Sequence, residues 1–387
     1  MTIFTRTAAS AVALLALTLP LTLTATAGSA AEPIKIADVI ELSGTGATTG
    51  TNWRNAAAMA IDEINAKGGI LGRQVQMTDY DTQTNPGVSR AQIQKALDGE
   101  PYVILGPIFS GSVKANMNLA QQAEIPQFVG AQAEELTHLG DDYLFRANLS
   151  QGAGMAKIAN YIHDDIKAKS IAVVWVNNDF GKGGHDAILK QMASAGIKIA
   201  ADISTESGQA DFAADVVKAK SANPDAIFVY SNEEESARFL REAKKQGVAV
   251  PLVGETTLLG QKVIDLAGDA ANGARGHVSL SPDAPIPAVQ AFRDNFKKRY
   301  DNLPDHAAMQ AYMAVYAIKA MTEKLGKVDS KALAAAFHGG TVTPAMEPNV
   351  LMDASWDKNG DVDRDSFLAE VVDGKQKIVA VLPRLAK

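Results

Sequence analysis

From Pro33 to Gln246 short apolar runs alternate with amphipathic helical patterns; the alternation runs through once, pauses, and starts again. A chain with that rhythm has few folds open to it. Each apolar run reads as a strand buried on both faces, and each amphipathic stretch as the crossover that returns the chain. Repeated crossovers of one hand build a parallel sheet covered by helices. The first series contains "IKIADVI" (34–40), "RQVQMTDYD", "YVILG" and "IPQFVG". Between its first two strands, residues 52–67 place Ala57, Ala60, Ile61 and Ile64 on one helical face, and Gly68-Gly69 ends the helix. Asn85-Pro86 then supplies an N-cap and a first-turn proline. The second series begins after "YLFRANLSQ" with "SIAVVWVNND" (170–179), "IKIAADIST" (197–205), "DAIFVYSN" (225–232) and "PLVGET" (251–256). Two series of similar length in 387 residues predict an α/β protein with two doubly wound parallel-sheet domains. A proline-rich crossing, "GHVSLSPDAPIPA", a helical region from Val289 to Phe337 and a hairpin-like ending, "DGKQKIVAVL", complete the chain.

The first 31 residues have another character. Arg6, an apolar run from Ala8 to Leu23 and the small residues "ATAGSAA" describe a secretory signal peptide cleaved after Ala30 or Ala31. No later segment approaches the ~18 continuous apolar residues a spanning helix needs, so no direct membrane insertion is expected. The chain has no cysteine, hence neither disulfides nor a site for a lipid anchor, and an exported protein of this kind must rely on its core. These features suit a free protein in a periplasm. The full chain carries 37 basic and 44 acidic residues, and losing Arg6 with the leader makes the balance more acidic, which argues against nucleic acid as a partner.

Ligands of doubly wound sheets sit beyond the carboxyl ends of the strands, so the strand-exit loops carry the candidates. "GPIFSGS" (106–112) joins a strand to a helix. It has no lysine before a serine, as a nucleotide-phosphate loop requires, and no G-x-S-x-G, as a nucleophile elbow requires. None of the six histidines has recognisable triad context, which disfavours a serine hydrolase using Ser110 or Ser112. Two readings remain: Ser110, Ser112 and the free amides of a helix start hold an anion, or one serine merely caps its helix. No H-E-x-x-H occurs, and in "DKNGDVDRD" the glycine falls fourth where a calcium loop needs it sixth, so a turn is expected and no metal or other cofactor. In "SNEEESARFLREAKKQG" (231–247), Ser231 with Glu234 fits a capping box, and Glu234 and Glu235 in the first turn with Lys244 and Lys245 in the last match the helix dipole. Asn232 and Glu233 stand at a strand exit where a ligand's polar group could be met. Trp53 is a stacking candidate or a core residue.

Several long strings then resemble a known family in its own order. They are "AAAMAIDEINAKGGILGRQVQMTDYDTQTNP", "GPIFSGSVKANMNLAQQAEIPQFVGAQAEELT", "NNDFGKGG", "GETTLLGQKVIDLAGDAANGARG" and "NGDVDRDSFL". Over nearly the whole mature chain they are similar to periplasmic solute-binding proteins of ABC importers, of the branched-chain amino acid type. The resemblance implies the type I periplasmic binding fold, two α/β lobes joined by a three-strand hinge and closing on a ligand in the cleft. Residues 32–149 and 280–352 would form lobe 1, and 150–279 and 353–387 lobe 2. It implies a non-enzymatic binder that delivers a small carboxylate-bearing solute, an amino acid of branched-chain type, to an inner-membrane permease; a monomer is the default expectation. An aromatic or other carboxylate, or a role as a sensing subunit, are the alternatives. By position Ser112, with Ser110 adjacent, matches the family's carboxylate-binding serine. Gly130 and Gln132 fall in the next loop, without the family's threonine, and Phe180 fills an aromatic position. The family's further tyrosine falls near Asn232 or Glu233. The acid that pairs with the amino group aligns near Thr256, with Glu255 beside it, so Glu233 or Glu255 replaces that acid or the ligand lacks an α-amino group. Thr84 and Phe109 stand where some members carry a disulfide.

Overall fold

The computed structural model describes residues 1–5, 7–8 and 32–385; all but the start of the expected leader lies outside the described residues. From Glu32 onward the chain forms one unit, to which the following description refers.

The first series forms β1 (Ile34–Ile40), α1 (Ala47–Ala66), β2 (Val75–Asp81), α2 (Pro86–Leu97), β3 (Val103–Leu105), α3 (Ser110–Gln122), β4 (Gln127–Val129) and β5 (Leu144–Arg146). Its five strands pair in parallel in the order β2-β1-β3-β4-β5. The local signals behave as expected. Asn85 caps α2 by accepting from the amides of Gly87 and Val88, and Pro86 occupies its first turn.

The second series forms α4 (Gln151–Asn160), β6 (Ser170–Val176), α5 (Asp179–Ser194), β7 (Lys198–Thr205), α6 (Ala213–Ser221), β8 (Ala226–Tyr230), α7 (Glu233–Lys245), β9 (Leu252–Gly254), α8 (Gln261–Ala267) and β10 (Arg275–Val278). Every residue of the central strand β8 is buried, whereas the edge strand β7 exposes alternate residues. The capping box expected at Ser231 and Glu234 does not form. Ser231 still belongs to the strand exit with a buried, unpartnered hydroxyl, and Asn232 is the N-cap, so the spacing is one residue out of step. Glu234 pairs instead with Arg238 at 3.1 Å.

The helical region forms α9 (Pro287–Tyr300), α10 (His306–Leu325) and α11 (Ser330–Phe337). Helix α10 is buried almost all round and lies on α1, where alanines on both helices permit close approach. Tyr312 and Tyr316 of α10 both donate to Glu63 of α1, each at 2.7 Å. This helical region thus completes the first lobe. A small antiparallel sheet follows, built from β11 (Thr341–Val342), β12 (Ala354–Trp356) and β13 (Val362–Asp363). It is fixed to the first lobe by Trp356, whose indole donates to the Arg146 carbonyl at 2.8 Å and meets Phe337 edge-on at 4.8 Å. An aromatic pair of this kind is worth about 0.5–1.5 kcal/mol beyond its burial. The guanidinium of Arg146, fully buried, bonds Asp361 at 2.5 Å and the Ala131 carbonyl at 2.7 Å.

The chain then passes Arg364 and enters the hairpin β14 (Ser366–Val372) and β15 (Lys375–Leu382), which extends the second sheet to the order β15-β14-β10-β9-β8-β6-β7. Arg364 is fully buried at this passage and donates to the Ala147 carbonyl; burial pulls its pKa down to about 10. Two other crossing segments meet beside it, with Ser279 Oγ donating to Asn148 Oδ1 at 2.5 Å. The architecture is therefore two α/β lobes, one sheet wholly parallel and one mixed, joined by three crossings with a cleft between them.

Candidate functional site

Both lobes present their strand exits to the cleft. In the first, α1 starts so close to the end of β1 that only glycine fits at position 50, where a Cβ would lie 1.8 Å from the Glu41 carbonyl oxygen. This close approach buries the Glu41 side chain, which accepts from the amides of Ile108 (3.1 Å) and Phe109 (3.3 Å). Desolvation raises its pKa to about 7. The loop ahead of α3 is thus pinned from beneath by a carboxyl group.

Helix α3 begins at Ser110, and its N-cap, Phe109, makes no side-chain cap. Neither serine of "GPIFSGS" is therefore the capping residue. Ser110 Oγ accepts from the Ala133 amide at 3.2 Å, while Ser112 Oγ is buried without a partner. Both stand in the first turn, where helix amides lack internal acceptors and the dipole favours an anion.

Two connected hollows occupy the cleft. An inner cavity of about 50 Å³ is lined by Ser110, Gly130, Gln132, Phe180, Asn232 and Glu233 from the sequence-based set. Thr49, Ile108, Phe109, Asn148, Thr257 and His306 complete its wall. An outer cavity of about 370 Å³ shares Phe109, Ser110, Phe180, Asn232 and Glu233 with it and adds Ser112. Phe180 stacks on Tyr230 with ring centroids 4.4 Å apart, and Gln151 ties the pair together by donating to the Phe180 carbonyl (2.7 Å) and the Tyr230 hydroxyl (2.9 Å).

The remaining candidates lie elsewhere. Trp53 is fully buried in the first lobe, its indole donating to Asp38 at 3.0 Å, and it lines neither hollow. Glu255 is buried against His277, 2.6 Å from Nδ1, beneath the cleft rather than in its wall. Thr256 accepts from the Ser279 amide at 3.1 Å, and it is the next residue, Thr257, that reaches the inner cavity. Thr49 lies in the first strand-exit loop but was not singled out there, and Asn148 and His306 carried no strand–turn–helix signal. They come from a helix start in the first loop, a crossing segment and the first turn of α10.

The lobes are closed on one another. Thr49 Oγ1 donates to Glu233 Oε1 across the cleft at 3.0 Å, Lys114 reaches Asp179 at 3.0 Å, and Lys262 reaches the Thr45 carbonyl at 3.2 Å. Glu233 and His306 are the titratable side chains in the inner wall, and no Lys or Arg lines it among the described residues. Among those residues there is also no cluster of three or more His, Asp or Glu side chains placed to hold a metal, and no helix long and apolar enough to cross a membrane. The "DKNGDVDRD" stretch opens with a turn, in which Asp357 accepts from the amides of Asn359 and Asp361, and runs on into β13.

The profile of the family described as Periplasmic binding protein matches residues 33–376. The chain belongs to this family. Among its relatives within the periplasmic binding proteins is the leucine-, isoleucine-, valine-, threonine- and alanine-binding protein of Pseudomonas aeruginosa. That protein is 27% identical over 313 residues, covering 81% of this chain and 84% of the relative. A branched-chain amino acid transporter substrate binding protein from Streptococcus pneumoniae, solved with isoleucine, superposes with a TM-score of 0.80 at 25% identity, covering 91% of this chain and 99% of that one. An ABC transporter solute binding protein from Rhodopseudomonas palustris, solved with benzoate, superposes with a TM-score of 0.82 at 20% identity, covering 92% and 98%. The fold thus accompanies amino acids in one neighbour and an aromatic acid in another, and the periplasmic binding protein described here must be assigned a ligand from its own cleft.

Proposed function

We propose that this periplasmic binding protein is the solute-capturing component of an ABC importer, free in the periplasm after loss of its leader, and that its solute is an amino acid. Capture and release are conformational and no bond is made or broken. One observation carries the choice of ligand: the inner wall of the cleft pairs an anion-ready helix start in one lobe with one carboxylate among the described residues, Glu233, in the other. A zwitterion satisfies both. Its carboxylate takes the hydroxyls of Ser110 and Ser112 and the amides of α3, and its ammonium takes Glu233 alongside Thr49. Closure then presents the joined lobes to a membrane permease.

An aromatic carboxylate is the second reading, favoured by Phe180, which lines both hollows and stacks on Tyr230. It would bring a second negative charge into a wall that holds Glu233 and no lysine or arginine. The zwitterion meets no such repulsion. Titration calorimetry of the mature chain with L-amino acids and with benzoates decides between them. Binding of an amino acid, and failure of the corresponding acid lacking its amino group, supports the proposal; preference for benzoates overturns it.

A further inference from the structure

The inner cavity has an asymmetric wall. Phe109 and Phe180, two of its three large apolar side chains, also line the outer hollow, so they stand where the two hollows adjoin. Ser110 and Glu233, which would hold the carboxylate and ammonium, belong to both hollows too. An amino acid bound through them has its α-groups where the two hollows adjoin, and a side chain turned away from the outer hollow meets the residues that line the inner cavity alone. Those residues are Thr49, Gly130, Gln132, Asn148, Thr257 and His306, with Ile108 the one large apolar side chain among the described residues. Gln132 accepts a long bond from the Tyr230 hydroxyl at 3.5 Å, which leaves its amide N–H groups free to donate into the cavity. The Asn148 amide donates only a long bond of 3.5 Å, to the Gly130 carbonyl. The imidazole of His306 offers one donor and one acceptor when neutral. Behind His306 the wall does not become apolar core. A second small hollow on its far side is lined by Asp305, Arg293, Gln376 and Thr256 as well as by leucines.

We infer that the side chain of the captured amino acid is a neutral hydrogen-bonding group, a carboxamide or hydroxyl, and that His306, Gln132 and Thr257 select it over an aliphatic chain. An isobutyl group placed there would strip water from these polar groups and return no hydrogen bond, which is the basis on which polar sites reject apolar analogues. A carboxamide can accept from the donors of Gln132 and Asn148 and donate to the Thr257 hydroxyl. An acidic side chain would instead add a negative charge to a wall that already holds Glu233.

This inference rests on the amino-acid reading above, and its test separates the two. Mature protein, freed of co-purified ligand by unfolding and refolding, is titrated calorimetrically with glutamine, asparagine, serine and threonine and with leucine, isoleucine and valine. The expected result is at least tenfold tighter binding of one neutral polar amino acid than of any aliphatic one. His306→Leu should narrow that ratio at least fivefold, and Thr257→Val, at a half-buried loop position, should narrow it in the same direction if the first variant does not fold. Aliphatic amino acids binding as tightly as polar ones, or a ratio untouched by a folded variant, overturns the inference and leaves the amino-acid reading standing. Binding of benzoates with no amino acid binding overturns both.

Discussion

Replacing Glu41 by Gln should remove a pH dependence of stability that this one side chain creates. The carboxyl group is fully buried beneath the loop that starts α3, and burial raises its pKa from 4.5 to about 7. A folded-state pKa above the unfolded one means that folding takes up a proton between those values. Stability is then greatest, as far as Glu41 is concerned, below about pH 4.5; it falls as pH rises toward 7 and levels off above. A shift of this size corresponds to about 3 kcal/mol across that window. Glu41→Gln fixes the side chain in the counterpart of its protonated form, with one oxygen to accept from Ile108 or Phe109 and one amide nitrogen that cannot. The variant should match the wild type near pH 5 and exceed it by about 2–3 kcal/mol at pH 8. Asp141, raised by burial to about 6, titrates in the same window in both proteins and cancels in the difference between the two curves. Urea unfolding at half-unit steps from pH 5 to 8 provides the curves. Parallel curves would refute the reasoning, because they would mean that the buried carboxyl is ionised throughout without cost.

Three further outcomes follow from the cleft. Glu233→Gln exchanges a charge-assisted contact for a neutral one, a loss of about 1.4 kcal/mol, and should weaken amino-acid binding roughly tenfold by calorimetry while leaving the Thr49 contact an acceptor. Ser110→Ala and Ser112→Ala should each weaken binding several-fold, and a fluorophosphonate probe should label neither serine, since no histidine is bonded to them among the described residues; labelling would revive a hydrolase. The pair of Lys114 and Asp179 is nearly half exposed, so it is worth at most about 1 kcal/mol. Lys114→Met should lower affinity no more than about fivefold at low salt and not at all in ~0.5 M salt, where such pairs are screened.

Much of the fold was legible because it rests on buried periodicity. β1 runs over the expected residues 34–40, both βα series are present, and the terminal hairpin forms. The strand-exit rule likewise singled out Ser110, Asn232 and Glu233, the family resemblance added Gly130, Gln132 and Phe180, and the structure brings all six into one wall. What was not legible depends on contacts between distant segments. Trp53 reads equally as a stacking residue or as core until Asp38, fifteen residues earlier, is seen to accept its indole hydrogen. Glu255 reads as a ligand-facing acid until His277, on the neighbouring strand, is found against it. His306 and Asn148 enter the cleft from a helix start and a crossing segment, and no local pattern distinguishes such positions from scaffold. The capping box failed for a smaller reason: β8 hands over to α7 one residue later than the pattern implies, so Asn232 and not Ser231 takes the N-cap position.

The most direct test of the account is a crystal structure of the mature protein with its tightest-binding solute. The account predicts an amino acid in the inner cavity, its carboxylate within hydrogen-bond distance of the Ser110 or Ser112 hydroxyl and its ammonium on Glu233. A ligand without an amino group, or one whose carboxylate lies away from the start of α3, would contradict it.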